Sequence, residues 1–350
     1  MSQHDLSELG WNPDLAEQLE PGLVPGRVAA AHRGAFDVWT AEDAVRSSLP
    51  RRLLDDGVDV AVGDWVGLGE GGLIRQVLPR RSAIIRNAAS NQQRQTHGQV
   101  LAANVDIAFI VSSLGPDLEP RRIERYLVTI WESGAAPEIV LTKADRMEDP
   151  WELVAEIEAV ALGVPVHVVS AVTGQGCDAL RARIEPGATA VLLGSSGVGK
   201  STLVNHWLGE YVMATKETRS DDDEGRHTTT VRQLLVLPGG GLVLDSPGIR
   251  ELQLWDVGAG ALDATFYDVE ELAAACRFGD CTHEHEPGCA VLGAVESGTL
   301  EADRLHSWRK LQRELRAMEL RHNALLRKEE ARKWRLRARE GHARAKAKRQ

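Results

Sequence analysis

The sequence predicts a multidomain α/β protein with three folded parts. These are a small N-terminal β-barrel, a mostly parallel sheet flanked by helices, and a C-terminal helical unit built around a metal. Three observations carry this prediction. From residue 100 to 250, apolar strand-like runs alternate with helical stretches, the pattern of a parallel sheet with crossover helices. Within that region, Gly194-Ser195-Ser196-Gly197-Val198-Gly199-Lys200-Ser201 follows the apolar run Ala190–Leu193 and opens a helical pattern from Thr202 to Leu208. Further on, three of the four cysteines fall between positions 276 and 289.

Taken in order, residues 1–24 read as a polar tail with one short helix. Residues 25–90 hold short strand-like runs (Gly26–Ala30, Phe36–Thr40, Trp65–Leu68, Leu73–Val77) broken by Gly and Asp, which predicts a barrel. Periodicity does not choose among barrel types. Arg80, Arg81, Arg86 and Arg94 form a basic bridge toward the next domain. They are candidates for phosphate contact, against the plainer reading of a charged linker. Residues 95–255 are the parallel-sheet domain, with helices expected after Pro120 and at Pro150. Residues 256–303 form the metal unit. Residues 304–350 contain strong helix formers, no proline and only Gly341 as a breaker, so a long helix is expected. Leu305, Trp308, Leu311, Leu315 and Met318 give it one apolar stripe.

The string from Gly194 to Ser201 is G-x-x-x-x-G-K-S in the strand–loop–helix context that a phosphate loop needs. Its glycines let backbone N–H groups curl round phosphates, and the helix N-terminus adds its positive end. Lys200 is expected to reach the β- and γ-phosphates and Ser201 to ligate Mg²⁺, with Thr202 completing the cradle. Leu141-Thr142-Lys143-Ala144-Asp145 closes an apolar strand and reads as T-K-x-D. The Asp145 carboxylate can accept from both N1–H and the exocyclic amine of guanine, a donor pair that adenine lacks. Lys143 can lie along the base, and Ser170-Ala171 supplies the backbone N–H for guanine O6. Leu244-Asp245-Ser246-Pro247-Gly248 ends a strand in D-x-P-G, where Asp245 holds Mg²⁺ and the Gly248 N–H senses the γ-phosphate.

The order of these strings is inverted, because the base-reading pair precedes the phosphate loop. A circular permutation accounts for that. Ile249 follows D-x-P-G and cannot orient a water. His227, in Gly225-Arg226-His227-Thr228-Thr229-Thr230, is the internal candidate, with ordering of its loop as the alternative role. One of Thr228 and Thr229 is expected to close on Mg²⁺, and the sequence does not choose between them.

Cys276-x4-Cys281-x-His283-x5-Cys289 offers three thiolates and an imidazole, the donor set of a closed structural zinc site. His285 competes with His283, and reduced cysteines packed in a core are the alternative. Cys177 begins a helix and reads as an inert buried thiol. No secretion signal is expected, since Asp5, Glu8, Asp14 and Glu17 make the N-terminus acidic.

The series T-K-A-D, S-A-V-T-G, G-S-S-G-V-G-K-S, G-R-H-T-T-T and D-S-P-G, followed by C-x4-C-x-H-x5-C, resembles the ribosome small subunit-dependent GTPase A (RsgA) family. Ala61-Val62-Gly63-Asp64-Trp65-Val66 resembles that family's V-G-D-x-V element, and Ala102-Ala103-Asn104-Val105-Asp106 resembles its entry into the GTPase core. The resemblance spans about residues 25 to 300. It implies an OB-fold for the barrel and a cytoplasmic, monomeric GTPase stimulated by the small (30S) ribosomal subunit late in that subunit's maturation, in contact with 16S rRNA. A zinc-containing RNA-binding protein using GTP as a switch without turnover is the alternative, and a small-molecule kinase has no use for the base-reading pair.

Charge agrees on separate grounds. The net charge of −10 hides a split, since residues 302–350 carry 17 Lys+Arg against 6 Asp+Glu. A basic end on an acidic protein suits a polyanion, and Trp334 in that stretch can stack on a base; a solvated helix is the plainer reading. No apolar stretch approaches the roughly 18 residues that a membrane span needs.

Overall fold

The computed structural model describes residues 5–87, 98–116, 118–209, 232–245 and 259–322. The chain divides into two compact units at 253/254.

In the first unit, α1 (Pro13–Gln18) precedes β1 (Val24–His32), β2 (Ala35–Trp39), β3 (Ala44–Ser47), α2 (Arg51–Asp55), β4 (Trp65–Leu68) and β5 (Ile74–Val77). β1 pairs antiparallel with β2 at one end and β4 at the other, β2 pairs with β3, and β4 with β5. The Ile74 N–H donates to the Ser48 carbonyl at 3.2 Å, which brings β5 against the end of β3. Val28, Val38, Val66, Leu68 and Ile74 form one buried apolar cluster between these strands. The expected polar tail is not wholly solvated. Leu9 and Leu15 are buried, because their apolar side chains reach the same core as Trp65, and Trp11 packs on Trp65 with ring centroids 4.9 Å apart.

A hairpin of β6 (Ala83–Asn87) and β7 (Gly98–Ala103) leads into β8 (Ile107–Ser113). The following elements are α3 (Pro120–Ser133), β9 (Ala136–Thr142), α4 (Trp151–Val160), β10 (Val166–Val168), α5 (Cys177–Arg181), β11 (Thr189–Leu193), α6 (Lys200–Leu208), β12 (Gln233–Val236) and β13 (Leu242–Asp245). The order across the sheet is β10-β9-β8-β11-β13-β12, and all neighbours are parallel except β12 with β13. β12 also meets β1 antiparallel at Ala30↔Gln233, so the sheet runs on into β1, β2 and β3.

Alternation along β8 explains the layering. Ala108 and Ile110 face a core shared with Ile123, Leu127 and Ile130 of α3 and Ile157 of α4. Phe109 and Val111 face the opposite core with Leu180 of α5 and Leu203, Val204 and Trp207 of α6. Burial on both faces is what a parallel strand requires. α3 starts at Pro120, where the missing N–H costs nothing, and stops at Gly134 with φ 82°.

The basic bridge resolves into ion pairs. Arg80 makes two 2.7 Å contacts to the buried Asp64 carboxylate and a third, also at 2.7 Å, to the Asp59 carbonyl. Arg81 pairs with Asp106 at 3.1 Å. Phosphate contact by these two arginines is therefore not needed to explain them, since buried or half-buried carboxylates already require their charge. The side chains of Arg86 and Arg94 lie outside the described residues. The motif residues around them have structural uses. Gly63 has φ +93°, and a Cβ there would lie 2.1 Å from the Ala103 carbonyl. Asn104, at φ 53°, spans the junction by accepting from the Arg81 N–H at 3.0 Å and donating to the Gly63 carbonyl at 3.0 Å. Arg27 is buried beside them, donating to the Leu9 and Asn104 carbonyls and, at 2.7 Å, to Thr189 Oγ1 at the foot of β11. Burial pushes its guanidinium down to about 10, which still leaves it charged at neutral pH.

The second unit contains α7 (Ala259–Thr265), α8 (Tyr267–Ala273), α9 (Ala290–Glu296) and α10 (Ala302–His322). Leu305, Trp308, Leu311 and Leu315 of the expected stripe are buried on α10. Arg304 anchors α10 through two contacts to the Asp268 carboxylate and one to the Thr265 carbonyl, stacked 4.2 Å over Phe266. Residues 323–350, including Trp334 and most of the basic run, lie outside the described residues. No helix among the described residues is long and apolar enough to cross a membrane.

Candidate nucleotide site and metal centre

All the parallel strands end at one edge, the place where open α/β sheets bind ligands. Ser113 of β8, Thr142 of β9, Val168 of β10, Leu193 of β11 and Asp245 of β13 share it. The phosphate loop leaves β11 there. Gly194 has φ +142°, and a Cβ on it would lie 2.1 Å from the Val111 carbonyl, so no side chain fits. Gly197 and Gly199 also have positive φ, at 84° and 101°. Ser196 and Gly197 are exposed, Ser195 is half-buried and Val198 is the loop's apolar plug. The Lys200 ammonium donates to the Gly194 and Ser195 carbonyls, each at 2.7 Å, which fixes it over the loop's concave face. Ser201 and Thr202 occupy the first turn of α6, whose N–H groups have no intrahelical acceptor.

The base-reading strings arrive at the same edge. Thr142 Oγ1 donates to the Val198 carbonyl at 2.5 Å, so β9 is tied to the phosphate loop across 56 residues of sequence. Lys143 takes a left-handed conformation at φ 62°, which turns the chain and leaves the Asp145 carboxylate exposed while Ala144 is buried. Ser170 Oγ donates to Asp145 Oδ1 at 2.5 Å, and Ser170 is fully buried beneath it. Ala171 follows at the surface of the same turn. Phosphate loop, Thr142, Asp145 and Ser170 thus assemble from strands in permuted order. A cavity of about 460 Å³ adjoins the loop, lined by Ser195, Ser196, Gly197, Val198, Lys143, Glu119 and Arg122 among others.

Arg122 was not singled out from the sequence. It donates to Ser195 Oγ at 3.0 Å and to Glu119 at 2.5 Å. Nothing in an i,i+3 Glu–Arg pair at a helix start announces a contact 73 residues away. His227, Thr228, Thr229 and Gly248 lie outside the described residues. For Asp245 the backbone is described, as the last residue of β13, but the side chain is not.

The second unit gathers Cys276, Cys281, His283 and Cys289, with one ligand atom of each within 4.8 Å of the others. Cys276 Sγ stands 3.8 Å from Cys289 Sγ and 3.6 Å from His283 Nδ1, and His283 Nδ1 is 3.4 Å from Cys289 Sγ. A tetrahedral ion with metal–sulfur bonds of about 2.3 Å separates two thiolates by about 3.8 Å, so the donor set fits one. The N–H groups of Ala290 and Leu292 donate to the Cys276 and Cys289 sulfurs, the outer hydrogen bonds that orient metal-binding donors. The competition between histidines is settled by position. His283 is buried, with Trp308 edge-on at 5.5 Å, and burial lowers its pKa, keeping the imidazole neutral as a ligand must be. His285 is exposed and its N–H goes to Glu286, which also takes the Thr282 and Glu284 N–H groups. Those bonds, the Thr282 side chain first, hold the Glu286 carboxyl far below the usual range. Glu286 is therefore the organiser of the ligand loop. Cys177 belongs to no such group. It is fully buried, and burial together with Asp178 pushes its thiol up to about 11, so it is unreactive at neutral pH.

Comparison with known proteins agrees with this geometry. Residues 77–255 match the model of a family described as RsgA GTPase. The chain is 46% identical over 355 residues to "Small ribosomal subunit biogenesis GTPase RsgA" of Streptomyces coelicolor, covering 98% of this chain and 96% of the relative. It is 44% identical to the Methanosarcina acetivorans protein of the same name, covering 87% and 84%. Among solved structures it is similar to YjeQ from Thermotoga maritima, with TM-score 0.63 and 28% identity over 83% of this chain and 98% of that one. The fold is also that of YloQ, described as a circularly permuted GTPase, with TM-score 0.60. With its T-K-x-D strand ahead of the G-x-x-x-x-G-K-S loop and a Cys3His cluster behind, the chain belongs to the RsgA GTPase family.

Proposed function

We propose that this protein hydrolyses GTP in late maturation of the small ribosomal subunit and is stimulated by that subunit. The observation that carries the reading is the meeting of Lys200, Thr142, Asp145 and Ser170 at one sheet edge, in an order that only a permuted GTPase explains. Gly194–Thr202 cradle the phosphates, with Lys200 neutralising the β- and γ-phosphate charge. Asp145 accepts from guanine N1–H and N2, Lys143 flanks the base, and the Ala171 N–H meets O6. Ser201, Asp245 and one of Thr228 and Thr229 are the residues to hold Mg²⁺, which supplies charge neutralisation on the β- and γ-oxygens. Gly248 reads the γ-phosphate, and His227 is the group to orient the attacking water.

The Cys3His cluster is read as a single structural zinc site, since its four donors close the coordination shell and leave no open position. The barrel of residues 25–90 is read as an OB-fold. The cyclic contact order β1-β2-β3-β5-β4-β1 supports this. Functionally we keep five parts: 1–24, the barrel at 25–90, the permuted GTPase domain at 95–255, the zinc unit at 256–303 and the basic extension at 304–350. The extension is assigned to 16S rRNA on its charge, and the protein is assigned to the cytoplasm as a monomer.

The test is GTP turnover measured with and without purified small subunits. Turnover raised at least tenfold by subunits supports the reading. Tight GTP binding with no turnover under either condition replaces it with a non-hydrolysing, zinc-containing RNA-binding switch.

A further inference from the structure

Asp145 and Ser170 stand at one end of a longer chain of hydrogen bonds. Ser170 Oγ donates to Asp145 Oδ1 at 2.5 Å, and the Ser170 carbonyl accepts from the Gly174 N–H at 2.9 Å and from Cys177 Sγ at 3.4 Å. The Cys177 carbonyl in turn accepts from Trp207 Nε1 at 3.1 Å. Ser170 and Cys177 are fully buried and Trp207 nearly so. Trp207 sits one residue before the end of α6, and that helix begins with Lys200 and Ser201. Seven residues of helix span about 10 Å. The helix whose first turn faces the phosphates therefore ends under the loop that reads the base.

The indole does two things. Trp207 shares an apolar cluster with Leu203 and Leu180 and meets Phe109 at 6.2 Å, which a ring of any kind could do in part. An indole brings an N–H that must find a partner when buried. It finds the first carbonyl of α5, at the foot of the turn from Ser170 to Cys177. Within itself that turn is held by Ser170 N–H to the Gln175 carbonyl and Thr173 N–H to Ser170 Oγ. The contact from α6 is what references it to the phosphate end of the site. The Thr142–Val198 bond makes a second tie on the other side.

We infer that Trp207 and Cys177 are positioning residues for guanine recognition, coupling the phosphate-binding helix to the orientation of the Asp145 carboxylate through Ser170. The inference rests on Asp145 as the base reader. Its consequence is specific. Disturbing the relay should weaken contacts to the guanine 2-amino group more than it weakens binding of the phosphates.

The experiment measures Kd for GDP and for inosine diphosphate, which lacks the 2-amino group, by displacement of a fluorescent guanine nucleotide. It compares the full chain with Trp207→Phe, Cys177→Ala and Asp145→Asn. Trp207→Phe keeps an aromatic ring and removes the N–H, and one hydrogen bond is worth roughly three- to tenfold in an equilibrium, which bounds what can reach the ligand. The GDP Kd should rise by up to that factor while the inosine diphosphate Kd moves less, so the ratio between them shrinks. Cys177→Ala should shrink it in the same direction, and serves if Trp207→Phe does not fold. GDP and inosine diphosphate weakened equally, or an unchanged ratio, makes Trp207 a packing residue and overturns the proposal. Asp145→Asn separates the two levels. If it leaves the ratio unchanged, the base-reading assignment itself fails. If it collapses the ratio while Trp207→Phe and Cys177→Ala do not, the relay alone fails.

Discussion

Lys200 donates to the Gly194 and Ser195 carbonyls and is a member of none of the described apolar cores. Lys200→Ala should therefore lower GTP turnover at least a hundredfold, on the scale of removing a transition-state charge partner. Thermal stability should fall by no more than about 1–2 kcal/mol, since half-buried hydrogen bonds are lost while the apolar cores are untouched. Hydrolysis assays beside a melting curve check both, and retained turnover would remove Lys200 from the site. Residues of this kind were legible in the sequence because phosphate chemistry demands a fixed spacing of Gly, Lys and Ser along one loop. Arg122 was not legible, since its partner Ser195 is brought to it only by the pairing of β8 with β11. Arg80 was ambiguous for a related reason. A string of arginines shows its charge but not that Asp64, sixteen residues earlier, is buried and already paired with it.

At the scale of elements, two predictions concern parts that hold shape rather than react. The ligand loop from Cys276 to Cys289 lies outside any regular element, so its order rests on the Glu286 bonds and on what the four donors bind. Elemental analysis of protein purified without chelator should find about one zinc per chain. Cys281→Ser should lose it and unfold the second unit, because binding energy at such a site is folding energy. Zinc absent from the native protein would leave three thiols and an imidazole as ordinary packing.

The second prediction concerns Glu138 on β9, which takes His167 Nε2 at 2.7 Å and two nitrogens of Arg183. Burial opposes ionisation there, but the bonds from His167 and Arg183 outweigh it and hold the carboxyl below its usual 4.5. A depressed carboxyl contributes stability above pH 4.5 that is lost as pH falls through its lower, folded-state value. Glu138→Gln should cost about 1–2 kcal/mol at pH 7. Its stability should also decline less steeply than the parent's on acidification below pH 4.5. Parallel acid limbs in chemical unfolding would contradict this. The strands and helices themselves were readable from alternation and from Pro120 and Pro150. The joining of β1 to β12 was not, because a single register contact, Ala30 to Gln233, leaves no mark on either segment.

At the scale of the whole molecule, charge is divided rather than averaged, with the basic excess collected after residue 301. Deleting the chain after Arg327 removes most of that excess and none of the residues proposed to bind the nucleotide. Intrinsic GTP turnover should hold, affinity for small subunits should fall, and log affinity should vary less steeply with log salt, since fewer counterions are released. Titrations at three salt concentrations in a non-hydrolysable GTP analogue decide this, and an unchanged slope removes RNA contact from the tail.

The central claim is that the permuted strings form one working guanine site coupled to the subunit. Its most direct test is hydrolysis of GTP and of xanthosine triphosphate, with small subunits present, by the parent protein and Asp145→Asn. Replacing the acceptor by an amide should suit the xanthine O2 carbonyl. The parent should hydrolyse GTP and neglect the xanthine nucleotide, while the variant should reverse that preference and keep its stimulation by subunits. A variant that hydrolyses GTP as the parent does, with no gain on xanthosine triphosphate, would contradict the account.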